Sequence, residues 1–115
     1  MRACIILRND IELFGAVKVA DRFMSRLVGL LKTSGLSDDQ GLLLKKCNQV
    51  HTLGMKFPID VIFLSKDGDI LHIEPEMAAG KVSPHIQNAF WVLEVKSESC
   101  RRLQLEINQH LIIRQ

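Results

Sequence analysis

The sequence predicts a mainly β fold: a single-domain β-sandwich or partly closed barrel of short strands, with one prominent α-helix at about residues 22–33. Three observations support this prediction. Short runs of β-branched and apolar residues alternate with turn residues along most of the chain. Two of these runs flank Asp67-Gly68, a strong hairpin signal. Helical periodicity is found in one segment.

The strands follow from pattern, taken in chain order. ACIILR is a β-branched run that ends at Asn9-Asp10, and GAVKVA alternates valine with other residues, as a half-buried strand does. The run after Pro58 is apolar on both faces, which predicts a central strand. Alternation of Leu103, Leu105 and Ile107 favours extended chain there as well. Strands are therefore expected at residues 3–8, 15–20, 41–46, 60–64, 69–74, 90–96 and 111–113.

The helix and the longest loop follow from the same reasoning. Between Asp21, a suitable N-cap, and Gly35, a common helix stop, apolar residues recur at helical spacing. Residues 75–88 show neither period and contain two prolines, so they are expected to form a long loop.

Length and composition predict one globular domain over residues 1–115 and exclude several classes of protein. Hydrophobic residues make up 47% and charged residues 24%, and the net charge is +2 without a basic stripe, so no nucleic-acid partner is predicted. No apolar run is long enough for a membrane span or a signal-peptide core, which predicts a cytoplasmic protein with no membrane partner. Three widely spaced cysteines are typical of a reducing compartment.

Four motifs occur in an order that resembles a known family. They are RFMSRLVGLL at residues 22–31, GLLL at 41–44, CNQVHTLGMKFPIDVIFL at 47–64 and VLEV at 92–95. Together they resemble domain of unknown function family 192, an uncharacterised bacterial and archaeal family. The resemblance implies a β-rich fold with one prominent helix, and motif positions without assigned roles: Arg26, Gly29, His51, Thr52, Met55, Pro58 and Asp60.

The sequence departs from this family near its end. The family usually has a glycine after the "LE" strand and Gly-Asp before the last strand. Here those regions read Ser97-Glu98-Ser99 and Asn108-Gln109, so the turns are expected to be built differently.

The stretch CNQVHTLGMKFPID raises the possibility of a soft-metal site. Cys47, His51 and Met55 are spaced by four, which on a helix would place a thiol, an imidazole and a thioether on one face, a set suited to copper(I) or zinc. Gly54 and Pro58 argue against that helix, and on a strand the three would lie ~13 Å apart. No metal and no other cofactor is therefore predicted. Soft-metal binding by Cys47, His51 and Met55 is kept as an alternative function.

The alternative that ranks ahead of metal binding is a small enzyme. His51 and Asp60 are candidates for acid–base chemistry, and Cys47 is a candidate nucleophile. These three residues are the catalytic candidates of this sequence, and their chemistry depends on contacts that only the fold can supply.

The favoured function is a ligand- or partner-binding module with a site around His51, Met55 and Asp60. The expected ligand is an unknown small molecule or protein, because polar side chains at strand ends are common binding groups in small β folds. Asp60 begins an apolar strand, so we expect it to be buried and bound by an arginine, a histidine or several backbone N–H groups. The ligand-binding candidates are Arg26, His51, Thr52, Met55, Lys56 and Asp60.

Overall fold

The computed structural model describes residues 2–21 and 35–115, and these residues form a mainly β fold. The helix predicted at residues 22–33, with Arg26 and Gly29, lies outside them. In chain order the described elements are β1 (Arg2–Arg8), β2 (Ile11–Asp21), β3 (Gln40–Lys45), β4 (Ile59–Leu64), β5 (Ile70–Met77), β6 (Trp91–Lys96), a short helix α1 (Ser99–Leu103) and β7 (Ile112–Arg114).

The seven strands form one sheet in the order β5-β4-β6-β3-β2-β1-β7. All neighbours are antiparallel except β2 and β3, which are parallel. The sheet curls so that residues 108–111, just before β7 at one edge, reach the start of β5 at the other. Ile70 N donates to Gln109 O and Asn108 N to Ile70 O, both over 2.9 Å. A single sheet whose edges meet in this way confirms the predicted fold class in its partly closed barrel form.

Alternation along the strands creates two apolar faces. One, the α1 face, joins strand residues such as Ile62 and Leu93 to Cys100 and Leu105 around α1. The other, the loop face, joins Phe63 and its neighbours to residues of the segment 46–58, including Cys47 and Met55. All six residues of β4 are buried because the strand has a neighbour on each edge and cover on both faces, as predicted for a central strand.

Both predicted turns are present. Asn9 and Asp10 join β1 to β2 with φ values of 52° and 66°, which fits the right-handed twist of a two-residue hairpin. Gly68 has φ 100° in the turn between β4 and β5, and its N–H donates to Ser65 O over 3.0 Å. A Cβ at Gly68 would collide with the Leu111 carbonyl oxygen, so the turn requires glycine for two reasons.

Two expectations about local structure need correction. Ser99–Leu103 is a helix, not the extended chain that the alternation around Leu103 favoured. β5 continues through Pro75 to Met77, which shortens the predicted loop, and β5 tolerates the proline because it is an edge strand. The two segments that lack the family's glycines have positive φ at Glu98 (74°) and Asn108 (78°), and their difference from the family's turns stays a prediction.

In the part of the chain that the structure describes, no helix is long and apolar enough to cross a bilayer.

Candidate functional site

Asp60 is fully buried on the α1 face of β4, and backbone N–H groups surround its carboxylate. Oδ1 accepts hydrogen bonds from Glu76 N at 2.8 Å and Glu98 N at 3.2 Å. Oδ2 accepts from Cys100 N at 2.8 Å. The predicted burial of Asp60 is therefore confirmed, and of the three expected kinds of partner (an arginine, a histidine or several backbone N–H groups) the structure shows the last.

This arrangement makes Asp60 the cap of helix α1. Glu98 and Cys100 lie at the first turn, whose N–H groups have no partner inside the helix, and no side chain of the helix itself caps them. A carboxylate at this end also interacts favourably with the helix dipole. One residue near the start of β4 thus joins β5 to the start of α1.

The thiol of Cys100 lies against the same carboxylate. Burial, then the negative charge of Asp60 and the hydrogen bond to it, raise the pKa of the Cys100 thiol. The thiol therefore stays protonated near neutral pH. Since the thiolate is the nucleophilic form, this pair is suited to holding α1 in place and not to covalent chemistry.

Cys47, His51 and Met55 occupy different environments. Cys47 and Met55 are buried together in the loop-face cluster, and the Cys47 thiol donates to Gln49 O over 3.2 Å. His51 is exposed, and its Nδ1 accepts a hydrogen bond from Leu53 N at 3.3 Å. Asp60 points to the opposite face of the sheet from Cys47 and Met55. Among residues 2–21 and 35–115, no three His, Cys, Asp or Glu side chains cluster in a way that could hold a metal ion.

The other candidates differ as well. Thr52 is fully buried; its Oγ1 donates to Ala78 O over 2.6 Å and accepts from Lys81 N over 2.9 Å, which fastens the loop after β5. Lys56 is exposed. Arg26 lies outside the described residues. The binding role of these residues stays a prediction. What the geometry shows is that Thr52 and Asp60 form hydrogen bonds that join segments of the fold.

A groove that the sequence reasoning missed lies beside α1. Its volume is about 1180 Å³, and it is bounded by the β1–β2 turn, α1, the segment 104–110 and Ile112. Buried Cys100 and Leu105 line it and belong to the core of the α1 face, so the groove has an apolar base and a polar rim. The groove draws on parts of the chain about 100 residues apart, and no local pattern marks it.

Arg8, the last residue of β1, is the half-buried cation in the wall of this groove. Its Nη1 donates to Gln104 O at 3.3 Å and to Gln109 Oε1 at 3.1 Å. No carboxylate of the described chain lies within 4.0 Å of its guanidinium. Arg101, also at the rim, pairs with Glu76 at 3.5 Å and with Glu98 at 3.4 Å.

The acceptors that hold Arg8 are themselves fixed. Gln104 ends α1 in the left-handed conformation (φ 56°). There its N–H donates to Arg101 O over 3.2 Å and Leu105 N to Cys100 O over 2.9 Å, the hydrogen bonds of a Schellman motif. Gln109 Nε2 donates to Gln104 O over 3.1 Å, which orients the amide that accepts from Arg8.

Two solved structures share this fold. A suggested transcription regulator from Sinorhizobium meliloti 1021 is 19% identical, with a TM-score of 0.77 over 96% of this chain and 91% of that one. A protein of unknown function from Novosphingobium aromaticivorans DSM 12444 is 16% identical, with a TM-score of 0.79 over 96% of this chain and 83% of that one. At these identities the likeness concerns the fold alone. No curated protein matches the sequence significantly.

The family comparison covers almost the whole chain. The family model DUF192, described as Uncharacterized ACR, matches residues 5–113, a range that contains all four motifs noted in the sequence. The chain therefore belongs to the DUF192 family of uncharacterised proteins.

Proposed function

We propose that this protein is a binding module that takes a small molecule into the groove beside α1. The observation that carries the proposal is a concave site with two buried core residues, Cys100 and Leu105, at its base and charged and amide side chains at its rim. Small-molecule sites combine these features: apolar walls that supply affinity and a few fixed polar groups that orient the ligand.

The groove is supported by a rigid frame, which favours binding. Asp60 ties α1 to two strands, and the Schellman motif fixes the end of the helix. A preformed site loses little conformational entropy when a ligand enters. The catalytic candidates Cys47, His51 and Asp60 do not line this groove, so the proposal here is binding and not catalysis.

Protein-observed NMR tests the proposal with three probes of similar size: hexanoate, hexylamine and hexanamide. Ligands this small bind with dissociation constants of about 1 mM. We expect at least one probe to shift amide resonances within residues 8–10 and 100–112. Ile112→Trp fills the groove from its wall and should abolish these shifts, whereas Val82→Trp is a matched control at an exposed residue outside it.

Two results would overturn the proposal. One is the absence of shifts in these segments with all three probes. The other is an Ile112→Trp variant that gives the same shifts as the wild type although it is folded, as judged by a thermal melt that matches that of Val82→Trp. The probes would then bind outside the groove.

A further inference from the structure

We infer that the groove is selective for an organic monocarboxylate, with the carboxylate bound by Arg8 and the apolar part against Leu105 and Ile112. This inference rests on the proposed function and names the chemical class of its ligand. Its starting point is the Arg8 guanidinium, which is half-buried and which, among residues 2–21 and 35–115, is hydrogen-bonded to neutral oxygens.

The donors of Arg8 are partly used and partly available. A guanidinium has five N–H donors, and the two hydrogen bonds that Arg8 makes within the described residues both come from Nη1. Nη2 and Nε remain, and this pair forms the fork that binds a carboxylate through two parallel hydrogen bonds. Because Nη1 is held by Gln104 and Gln109, the plane of the guanidinium is set before a ligand arrives.

The other charged groups around the groove narrow the choice of ligand. Arg101 is paired with Glu76 and Glu98, and His110 with Asp69 at 3.0 Å, so Arg8 is the cation at the groove that has no acidic partner among residues 2–21 and 35–115.

Asp10 and Glu106 also line the groove. These carboxylates repel negative charge, so a second charge on the ligand is disfavoured. A monoanion is therefore preferred over a phosphate dianion.

The apolar side of the groove supplies the rest of the recognition. Leu105 is buried in the core and Ile112 is 36% exposed, and both line the same groove as Arg8. A ligand with a charged head and a short alkyl or aryl body satisfies both kinds of surface. A bare inorganic anion would leave the apolar surface unused.

The test compares hexanoate, its neutral counterpart hexanamide and inorganic phosphate at constant ionic strength, by NMR titration of the full chain. Hexanoate should bind more tightly than both others to the wild type. Arg8→Gln should weaken hexanoate by about tenfold, the effect of losing a charged hydrogen-bonding partner, and leave hexanamide unchanged. Arg8→Lys, which keeps the charge but loses the fork, should weaken it less.

Arg101→Gln is the matched control, since it removes the same charge from the same rim at a residue already in ion pairs. An equal loss of hexanoate affinity in Arg8→Gln and Arg101→Gln would show general electrostatics and overturn the inference. Equal affinities of hexanoate and hexanamide for the wild type would overturn it too, even if Arg8→Gln failed to fold. In that case the groove would still bind a small molecule, and the proposed function would stand.

Discussion

Replacing Asp60 by alanine removes the acceptor of three backbone hydrogen bonds at once. A hydrogen bond to a charged group contributes about 1.5–3 kcal/mol, and a buried donor left without a partner costs about 1–3 kcal/mol. Cys100 is buried, so its N–H would lose its partner, whereas Glu76 and Glu98 are exposed residues whose N–H groups can turn to water. We therefore expect Asp60→Ala to lower the free energy of unfolding by about 3–5 kcal/mol.

Asparagine separates the contributions of the two oxygens. Its amide oxygen can replace Oδ1 and keep the bonds to Glu76 N and Glu98 N, while its NH₂ group would face the Cys100 N–H, donor against donor. One bond of three is then lost, and Asp60→Asn should cost about 1–2 kcal/mol.

Urea denaturation at neutral pH measures both variants, with the free energy of unfolding taken by linear extrapolation. Asp38→Ala is a suitable control because Asp38 is an exposed aspartate whose pair with Lys96 lies at the surface, and its loss should be within about 0.5 kcal/mol. If both Asp60 variants also lost less than about 0.5 kcal/mol, the claim that Asp60 organises α1 would be refuted.

Three further predictions follow from the same structure. The raised pKa of the Cys100 thiol keeps it protonated in the folded state at pH values where the thiol of the unfolded chain is already ionised. Its contribution to the free energy of unfolding is therefore complete below about pH 8.5, and above that pH it falls by about 1.4 kcal/mol per pH unit. Cys100→Ala should flatten this decline in urea denaturation at pH 8 to 10. Gly68→Ala should lose about 2–4 kcal/mol in urea denaturation, since a Cβ there meets the Leu111 backbone at a positive φ. Among residues 35–115, limited proteolysis should cut first near Lys81, an exposed residue in the irregular chain after β5.

Each of these predictions has a contrary result. Equal slopes of stability against pH in wild type and Cys100→Ala would show that the thiol titrates alike in both states. A loss below about 0.5 kcal/mol in Gly68→Ala would mean that the turn relaxes freely. First cleavage within β4 or β6 would contradict the expectation that the segment after β5 opens more easily than the central strands.

Elements with a local signal could be predicted from residue patterns. Asn9-Asp10 and Asp67-Gly68 marked their turns because few residues tolerate the backbone angles that tight hairpins need. The apolar run after Asp60 marked a central strand because burial on both faces leaves no polar position. The burial of Asp60 was predictable for the same reason, since a carboxylate among such neighbours needs partners.

Contacts between distant residues could not be predicted in this way, because they depend on how the chain folds. Asp60 is bound by N–H groups 16 to 40 residues away, and a backbone donor carries no signature in the sequence. Alternation at Leu103 predicted extended chain, but Ser99–Leu103 is helical, and its first turn is capped by Asp60 from strand β4. Arg8 and Gln109 are 101 residues apart and meet because β7 pairs with β1, so the groove depends on sheet order, which the local pattern of a sequence does not contain.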